Sequence, residues 1–578
     1  MSGSFVEYLS RFYTGTAAHE GVFDEYNLQE TGFESSLHVA TTVESKVMEL
    51  FQAPVPKSVI LTGNAGDGKT RLARAVIEYL TGKRLESWGD GGEPFTVHLP
   101  AYTLKVVKDL SDYTREKAAQ ILTDAFRAFS ADDSSIVYLI AANEGKLRDS
   151  LPDDPTIQDA VQKQLEGGPD LDDSRGPLVF NLNLERNSRY VTDLLKALTN
   201  EALWVGCYEC SGVDRCPISF NRKRLGDPHV QGSMTKLYET IEQCGAHITM
   251  RDMLIHLTHT LIGSMTCALV LDGTEREPWK RVYYENCWAE SEPQEHRRAL
   301  QVVNQLLKLE IGARSKYDID TFILHGGRTN AEHERHRTLF DDGIDLGNGL
   351  FTRLRSTYLK GYSEGAEDEP EVLKWLPHCR RKLFFEWHDP RVDELIALKM
   401  VSEFRRYVVE GEEWDLRGEA LPRILMGLNR ALTGYFLTGE SMRREVHVTS
   451  QFQGDSQVAV PIIKLSIPAS EMELQPYPSV SPDHLRLIFR KESAQYGIYL
   501  DIDQLLCEHL IRLAEGSTLN ILAQECALRL HTFKEQLLGS AGTRGLRTNP
   551  NMLKFFVTAD GRYREKKLMV QNGTVKLQ

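Results

Sequence analysis

One segment near the start of the chain combines the residue types that bind phosphate groups. An apolar run from Lys57 to Thr62 precedes a loop, and a helical pattern from Arg71 to Leu80 follows it. Eight residues form the loop: Gly63, Asn64, Ala65, Gly66, Asp67, Gly68, Lys69 and Thr70. Its glycines let successive backbone N–H groups point at phosphate oxygens, and the helix start adds a positive field. Because Lys69 would reach the β- and γ-phosphates and the Thr70 hydroxyl would bind Mg²⁺, the spacing predicts a site for ATP and Mg²⁺ rather than a chance glycine-rich turn.

Alternating apolar and helical segments indicate the elements that hold this loop. Runs at Phe95 to Leu99, Ile136 to Ala142 and Pro177 to Asn183 predict strands, and Arg115 to Phe129 predicts an amphipathic helix. Strands separated by helices are typical of a parallel sheet with crossover connections. The expected fold class is therefore α/β, with a P-loop NTPase core whose functional polar residues follow the carboxyl ends of the strands.

Asn143 and Glu144 follow the strand predicted at Ile136 to Ala142 and leave two alternatives. Either this is the Walker B strand, with Asn143 replacing the usual Asp and Glu144 activating water, or it is the neighbouring strand, with Asn143 contacting the γ-phosphate. A helix cap at Asn143 is the purely structural explanation. No apolar run followed by Asp-Glu occurs between Thr70 and Ala142, so the sequence supports ATP binding more directly than hydrolysis. The run Ala268 to Asp272 also ends in Asp, but we interpret it as the end of a buried helix.

The region after the last predicted sheet strand is mostly helical. A stretch starting at Ile248 resembles the small helical lid of AAA+ ATPases, in which an arginine reaches the γ-phosphate. Arg251 is the candidate for that contact, and a solvated arginine beside an N-capping Thr249 is the alternative. Three further arginines are candidates for a finger that acts on a neighbouring subunit: Arg148, Arg186 and Arg189.

Three cysteines form a second cluster of chemically active residues. Cys207, Cys210 and Cys216 have the spacing C-x₂-C-x₅-C, which suits chelation of one tetrahedral Zn²⁺. A fourth ligand is needed, for which the options are Cys244, His229 and His247; free thiols in a loop are the alternative. A structural zinc here would link the sheet to the helical lid and take no part in catalysis.

Two basic clusters occur in the helical stretch from Trp279 to about Ser441. One contains Arg328, Arg335 and Arg337, and the other contains Arg380, Arg381, Lys382 and Arg391 beside Phe384, Phe385 and Trp387. Basic and aromatic residues together can bind a nucleic-acid backbone and stack on its bases. The more common explanation is a charged face with a core face behind it.

The last part of the chain changes to mixed strand and helix patterns. Strand patterns lie at Glu445 to Thr449 and Gln457 to Pro461, joined across Gly454-Asp455, and at Leu485 to Phe489 and Tyr496 to Leu500. Helical patterns at Ile502 to Ala514 and Thr518 to Leu538 follow, with a final hairpin turn at Asp560-Gly561. We find no catalytic constellation here and predict an α+β interaction domain.

Charge and hydropathy limit the partners. The 578 residues include 82 acidic and 68 basic side chains, a net charge of −14, which repels nucleic acid and anionic membranes over the surface as a whole. Met1 to Ser10 has no secretory pattern. The uncharged stretch Met253 to Leu271 contains two histidines and Gly263, which favour a broken, buried helix over a membrane span. We expect a cytoplasmic chain without a membrane partner, in which any DNA contact is indirect or through a local basic patch.

Four motifs together resemble a known family. They are the loop Thr62 to Thr70, the strand end Ala142 to Gly145, the cysteine loop ending at Pro217, and Thr249 to Asp252. They resemble the DptF-type ATPases of DNA phosphorothioation-dependent restriction systems in bacterial defence islands. The resemblance implies an AAA+-like subunit that acts with partner proteins against incoming DNA. It also implies nucleotide contacts at Gly63, Gly66, Gly68, Lys69 and Thr70, and a γ-phosphate contact at Asn143 or Glu144.

These patterns predict five parts in the chain. They are a helical arm (1–56), a P-loop ATPase core (57–200), a zinc loop with a helical lid (201–275), a helical domain (276–440) and an α+β interaction domain (441–578). The predicted function is an ATP-binding and ATP-hydrolysing AAA+-like subunit of a multi-protein antiviral defence complex, with self-association as an option. The alternative is a non-hydrolysing nucleotide switch or scaffold that controls the assembly of partner effectors.

Overall fold

In a computed structural model, the chain forms two compact units, Met1–Glu242 with Ala246–Ala397 and Gln243–Gly245 with Leu398–Gln578. The structure describes residues 4–12, 33–88, 92–130, 135–169, 176–273, 275–309, 311–313, 315–340, 348–360, 371–396, 398, 404, 408, 420–434, 444–449, 462–477, 484–489, 498–516, 524–543, 552–559 and 562–577.

A five-stranded sheet lies in the first unit. Its strands are β1 (Val59–Thr62), β2 (Phe95–His98), β3 (Thr103–Val107), β4 (Ile136–Ala142) and β5 (Leu178–Asn181). Their order across the sheet is β2-β3-β4-β1-β5. The pairs β3–β4, β4–β1 and β1–β5 are parallel, and β2 pairs antiparallel with β3. The prediction of an α/β fold with a mostly parallel sheet is confirmed, and β3 is a strand that the sequence analysis missed.

Helices make up most of the remaining first unit. Numbered along the chain, they are α1 (Ser4–Ser10), α2 (Thr42–Gln52), α3 (Lys69–Thr81), α4 (Arg115–Ser130), α5 (Glu144–Ser150), α6 (Pro155–Gly167), α7 (Val191–Thr199), α8 (Val205–Tyr208), α9 (Pro217–Leu225), α10 (Pro228–Gln243), α11 (Met250–Ile262), α12 (Cys267–Leu271), α13 (Tyr283–Asn286), α14 (Gln294–Ala299), α15 (Gln301–Leu306), α16 (Tyr317–His325), α17 (Asn330–Phe340), α18 (Asn348–Leu359), α19 (Glu371–Lys374) and α20 (Leu376–Glu386).

Strands β1, β4 and β5 are buried on both faces, which explains why their residues are mostly apolar. Side chains alternate along a strand, so Val59 and Leu61 pack on one face and Ile60 on the other. Helices α2 and α3 cover the first face, and α4 and α6 cover the second. This layering fixes the carboxyl ends of β1, β3, β4 and β5 at one edge of the sheet.

The long apolar stretch after the cysteine loop is a broken core helix. By length and composition, 250–271 is the one described segment that could cross a membrane, but 56% of its apolar window is buried in the fold. Helix α11 ends at Gly263, which has a left-handed backbone (φ 55°), and α12 starts at Cys267. Both histidines of α11 are buried, and burial lowers the pKa of His256 to about 4. In α12 only Val270 is buried, so the run ending at Asp272 is less deeply packed than we expected.

In its described residues, the second unit combines two antiparallel sheets with three helices. The strands are β6 (Glu445–Thr449), β7 (Ile462–Pro468), β8 (Met472–Pro476), β9 (Leu485–Phe489), β10 (Ile498–Ile502), β11 (Met552–Ala559), β12 (Arg562–Gln571) and β13 (Thr574–Leu577), and the helices are α21 (Leu421–Thr433), α22 (Gln504–Ala514) and α23 (Gln524–Thr543). The sheet orders are β10-β9-β8 and β13-β12-β11-β7-β6. Strands and helices share one apolar core. The predicted α+β character of the C-terminal part is confirmed.

Both predicted hairpins of this unit flank residues outside the described part of the chain. Strand β6 pairs antiparallel with β7, which is described from Ile462 onward. The predicted strand 457–461 and the turn at 454–455 lie outside the described residues. Strands β11 and β12 also pair antiparallel, and the predicted turn at 560–561 between them lies outside as well.

Candidate functional site

A cavity of about 1130 Å³ opens at the carboxyl edge of the five-stranded sheet. Residues 65–70, which span the end of the loop after β1 and the first two residues of α3, form part of its wall. Residues that follow three other strands complete this side: Asp109 after β3, Asn143 after β4 and Leu182 after β5. The parallel strands therefore bring polar groups from distant parts of the sequence to one glycine-rich loop.

The loop has a backbone that favours glycine at defined points. Gly66 has φ +102° and Gly68 has φ +83°, both in the left-handed range that other residues rarely adopt. Gly68 occupies the N-cap of α3, and its carbonyl oxygen accepts the Leu72 N–H at 2.8 Å. The first turn of α3 therefore starts directly at the cavity, where its unpaired N–H groups favour an anion.

Lys69 lies inside the curve of the loop. Its Nζ donates to the carbonyl oxygens of Gly63 (2.8 Å) and Asn64 (2.7 Å), and the side chain is largely buried. Burial lowers the pKa of Lys69, and the negative charges of Asp67 and Asp109 oppose this shift. The ammonium group is thus held at the cavity by weak carbonyl acceptors, which a more strongly negative oxygen would replace.

Asp67 links the loop to a distant segment of the chain. Its carboxylate accepts the Asn64 N–H at 2.6 Å and contacts His247 Nε2 at 2.8 Å. Burial alone would lower the pKa of His247, but the hydrogen bond and charge of Asp67 outweigh it, so the pKa is raised. The Asp67 side chain is 1% exposed, so the pair is screened little by solvent.

A second contact joins the loop to the start of α11. The backbone N–H of Arg251 donates to the Gly66 carbonyl oxygen at 3.1 Å, and the Arg251 side chain lines the cavity. Burial lowers the pKa of Arg251, and the charge of Asp252 opposes this shift. Thr249 caps α11 by accepting the Asp252 N–H at 3.1 Å. The two interpretations of this segment are therefore compatible, because Thr249 is a cap and Arg251 faces the cavity.

Asp109 is the cavity residue that the sequence analysis missed. It follows β3, lines the cavity and lies close enough to Lys69 to affect its pKa. Its Oδ1 accepts the Ser111 N–H at 2.8 Å, which orients the carboxylate. Lys105 and Lys108 interrupt the apolar pattern of β3, so no run followed by Asp was visible. The remaining signal was the buried trio Leu104, Val106 and Val107 just before the carboxylate.

Asn143 and Glu144 have different surroundings in the structure. Asn143 lines the cavity and occupies the N-cap position of α5, but its side chain makes no capping hydrogen bond. The Glu144 carboxylate contacts the Arg148 guanidinium at 2.8 Å on a partly exposed helix surface. Among the described lining residues, Asn143 is present and Glu144 is not. Strand β4 lies directly between β1 and β3, so it is the neighbour of the strand that ends in Asp109.

The three other arginines named from the sequence lie outside the described cavity lining. Arg148 contacts Glu144, and Arg189 lies 3.6 Å from the Glu185 carboxylate. Arg186 occupies the N-cap of a short 3₁₀ turn. Within the chain, Arg251 is therefore the predicted arginine that the structure brings to the loop.

Two oxygen donors in the cavity suit a magnesium ion. Thr70 Oγ1 lies 3.5 Å from the Lys108 carbonyl oxygen, next to Asp109 in sequence, and both Thr70 and Asp109 line the cavity. Hydroxyl and carboxylate oxygens, with water and phosphate oxygens, are the ligands that Mg²⁺ prefers. The donor set therefore fits the predicted cofactor.

The cavity lining also includes apolar and aromatic residues. Val39, Tyr190, Leu194 and Leu254 contribute to it. The Tyr190 hydroxyl accepts the Thr42 N–H at 2.8 Å, which fixes the ring against the first residue of α2. The cavity lining thus combines cationic and amide groups with apolar residues, which suits an anionic ligand that carries a flat ring.

The predicted zinc ligands are free thiols with intermediate exposure: Cys207, Cys210 and Cys216. In the described part of the chain, no group of three or more His, Cys, Asp or Glu side chains is already arranged to hold a metal ion. Two of the suggested fourth ligands have other contacts, since His247 contacts Asp67 and His229 stacks on His388 at 3.5 Å between ring centroids. The third option, Cys244, is buried.

Most residues of the basic and aromatic cluster suggested for DNA contact are buried. Arg380 forms a bidentate pair with Asp320 (2.6 and 2.8 Å), Arg381 pairs with Glu285 at 2.8 Å, and Lys382 lies 3.6 Å from Glu386. Arg391 pairs with Asp389 and Glu332, and the three aromatic residues are buried: Phe384, Phe385 and Trp387. Arg335 of the first cluster donates to the Glu386 carbonyl oxygen. The pairing of Arg380, Arg381 and Lys382 with carboxylates favours the more common explanation, in which these residues are structural, and DNA contact stays a prediction.

Comparison with known proteins adds no relative: no family model, no curated protein and no solved structure matches this chain.

Proposed function

We propose that the cavity binds ATP with Mg²⁺ and that the chain hydrolyses this ATP as an AAA+-like P-loop subunit. One observation carries the proposal: a loop ending in Lys69 and Thr70 shares a cavity with Asp109 and Asn143, which follow two neighbouring strands of one sheet. Phosphoryl transfer needs these parts, since catalysis consists mainly of positioning the phosphates and stabilising their negative charge.

Each cavity residue has a role in the proposal. The loop N–H groups and Lys69 bind the phosphates, with Lys69 exchanging its two carbonyl acceptors for phosphate oxygens. Asn143 contacts the γ-phosphate, in keeping with the second alternative from the sequence. Arg251 adds a positive charge from the start of α11. The apolar wall that includes Tyr190 and Leu194 receives the adenine ring.

Thr70 and Asp109 would hold the Mg²⁺ ion through their oxygens. When bound, the ion neutralises charge on the phosphates. Asp109 therefore takes the place of the Walker B aspartate that we did not find in the sequence.

The assignment to an antiviral defence complex rests on the resemblance of four motifs to DptF-type ATPases. In that setting the chain is a cytoplasmic subunit that acts through partner proteins. The pairing of Arg380, Arg381 and Lys382 with buried carboxylates supports an indirect contact with DNA. The excess of acidic side chains supports the same conclusion.

Replacing Asp109 tests the proposed chemistry. Asp109→Asn removes the carboxylate charge and keeps the side-chain size, so steady-state ATP turnover should fall by about 100-fold or more. Asp124→Asn is the matched control, because Asp124 contacts Gln120 on the surface of α4. Equal turnover in the two variants would overturn the role of Asp109.

A second candidate function, a slow or non-hydrolysing nucleotide switch, also has a specific observation behind it. The residue after Asp109 is the buried Leu110, where an ATPase usually has Glu, and the Glu144 carboxylate is paired with Arg148. Asp112 also lines the cavity, 3.6 Å from Lys108 Nζ, and is a further carboxylate that could polarise water. Single-turnover hydrolysis decides between the functions: a measurable rate that Asp112→Asn or Glu144→Gln abolishes supports the ATPase, and tight binding without turnover supports the switch.

A further inference from the structure

The nine cysteines of the chain divide into two groups by exposure. Five are buried: Cys244, Cys287, Cys379, Cys507 and Cys526. The other four, Cys207, Cys210, Cys216 and Cys267, have intermediate exposure and form no disulfide. Three of them belong to the loop described above. The fourth, Cys267, is 51 residues further along and is the first residue of α12.

Contacts between the two segments bring Cys267 to the cysteine loop. A Cβ atom built on Gly212 would lie 3.3 Å from a Leu271 methyl group, 3.7 Å from a Val270 methyl group and 3.9 Å from Cys210 Sγ. The Arg215 guanidinium donates to the Leu271 carbonyl oxygen at 3.3 Å. The loop therefore packs directly on α12, with Cys210 Sγ on the contact side.

The four thiols also interact electrostatically. Cys267 lies close enough to Cys207, Cys210 and Cys216 for their charges to act on it. Cys207 likewise interacts with Cys210, and Cys216 interacts with both Cys207 and Cys210. Four thiolates in one place repel each other unless a cation lies between them.

One of the thiols already accepts hydrogen bonds in a way that favours a thiolate. The backbone N–H groups of Ile218 and Ser219, at the start of α9, donate to Cys216 Sγ. The positive charge of Arg222 acts on Cys207. Backbone N–H groups directed at a ligand sulfur are the kind of outer contact that orients a metal-bound cysteine.

We propose that Cys207, Cys210, Cys216 and Cys267 bind one Zn²⁺ ion as a structural four-thiolate site. Soft thiolates select zinc, and four of them complete its preferred tetrahedral coordination without an open position for catalysis. The four sulfur atoms have to move closer together to bind the ion, because the described residues contain no group of three or more ligands that is already arranged around a metal site. Binding replaces the thiol protons by one cation and fixes the 207–216 loop onto α12.

The metal content of the purified full-length chain tests this proposal without nucleotide. Elemental analysis should give one zinc per chain, and a mercurial reagent should release it in proportion to four titrated thiols. Cobalt substitution should give the strong thiolate-to-metal charge-transfer band of a four-sulfur site. A zinc-free chain that takes up no zinc or cobalt, or one with a Cys207–Cys210 disulfide, would overturn the proposal.

A pair of variants tests the assignment of Cys267. Cys267→Ser should lower the zinc content to well below one per chain, whereas Cys526→Ala, in the second unit, should keep it. Full zinc content in Cys267→Ser would show that another residue completes the site. If Cys267→Ser does not fold, the cobalt spectrum of the unaltered chain still distinguishes four sulfur ligands from three.

Discussion

At the scale of single residues, Asp67 connects the loop of the candidate site to a distant segment of the chain. Its carboxylate accepts the Asn64 N–H inside the loop and contacts His247, which lies just before α11. Asp67 is also a negative charge beside the proposed phosphate site, so a charged His247 would offset its repulsion of ATP. The protonation state of one histidine should therefore affect nucleotide affinity.

The raised pKa of His247 predicts a pH dependence with a defined sign. Besides Asp67, the carboxylates of Glu242 and Asp252 favour the charged imidazole. Its stabilising contribution should be fully present below the ordinary histidine pKa of about 6.5 and should be lost as pH rises through the raised value. In thermal melts, the unaltered chain should exceed His247→Gln in stability most at low pH, with the difference falling as pH rises.

The difference in MgATP affinity between the unaltered chain and His247→Gln should also be largest at low pH and should fall as pH rises. Because His247→Gln keeps a polar side chain but does not titrate, the ratio of the two dissociation constants isolates the contribution of the imidazole. A ratio of dissociation constants that does not change as pH rises through the His247 pKa would rule out the ion pair as the cause.

The site residues differ in how far the sequence predicts them. Lys69 and Thr70 follow from local spacing, since a loop of this type needs no distant contact to be recognised. The sequence does not predict Asp109 as a site residue. Lys69 and Thr70 lie about 40 positions before it, and Lys108 separates it from the apolar part of β3. The contact between Asp67 and His247 joins residues 180 positions apart, and no local pattern encodes such a pair.

At the scale of elements, the position of the loop depends on β1 and on α11. Strand β1 holds the loop from one side by parallel pairing with β4 and β5. Helix α11 contacts it from the other through the Arg251 N–H and Thr249. We infer that a change in the loop on binding ATP is transmitted to α11, which begins at Met250.

Gly66→Ala should uncouple this contact. A Cβ atom at Gly66 would lie 2.9 Å from Thr249 Oγ1 and 3.1 Å from Arg251 Cβ, on a backbone with φ +102°. The strain should weaken ATP binding at least tenfold, because a shift of about 1.4 kcal/mol suffices and left-handed non-glycine residues cost about 1–3 kcal/mol. Isothermal titration with ATP measures it.

Gly145→Ala is the matched control, since a Cβ atom there meets open space within α5. It should bind ATP as the unaltered chain does. Unchanged affinity in Gly66→Ala would show that the loop adjusts without α11.

The predicted elements agree with the structure where a segment has a single hydrophobic pattern. They disagree where charged residues interrupt that pattern. The apolar run of β4 predicted the observed bounds, Ile136–Ala142, because a strand buried on both faces has mostly apolar residues. Strand β3 was missed because Lys105 replaces an apolar residue near the sheet edge, where β2 pairs with it. The break in the apolar helix at Gly263 was predicted, since glycine favours the left-handed C-cap seen there.

At the scale of the whole molecule, basic side chains pair with buried carboxylates in the helical part of the first unit. Glu285 is buried and receives both Arg381 and His378, and these partners hold its pKa low against the effect of burial. A run of basic residues in the sequence resembles a binding surface, but the acidic partners lie up to 96 positions away. Composition alone could therefore not distinguish a patch from a core.

Removing one member of this pair should be costly. Arg381→Ala leaves Glu285 buried without its main counter-charge, which should lower the free energy of unfolding by about 3–5 kcal/mol. Arg127→Ala, on the exposed side of α4, should change it by at most about 0.5 kcal/mol. Urea unfolding of both variants checks the difference, and similar midpoints would contradict the account of a buried pair.

The central claim is that the cavity beside Lys69 is an ATP site, and equilibrium binding of labelled ATP with Mg²⁺ to the full-length chain tests it most directly. Lys69→Ala should abolish saturable binding, while Lys163→Ala, an exposed lysine of α6, should bind as the unaltered chain does. No saturable binding to the unaltered chain, or equal affinity in Lys69→Ala, would contradict the claim.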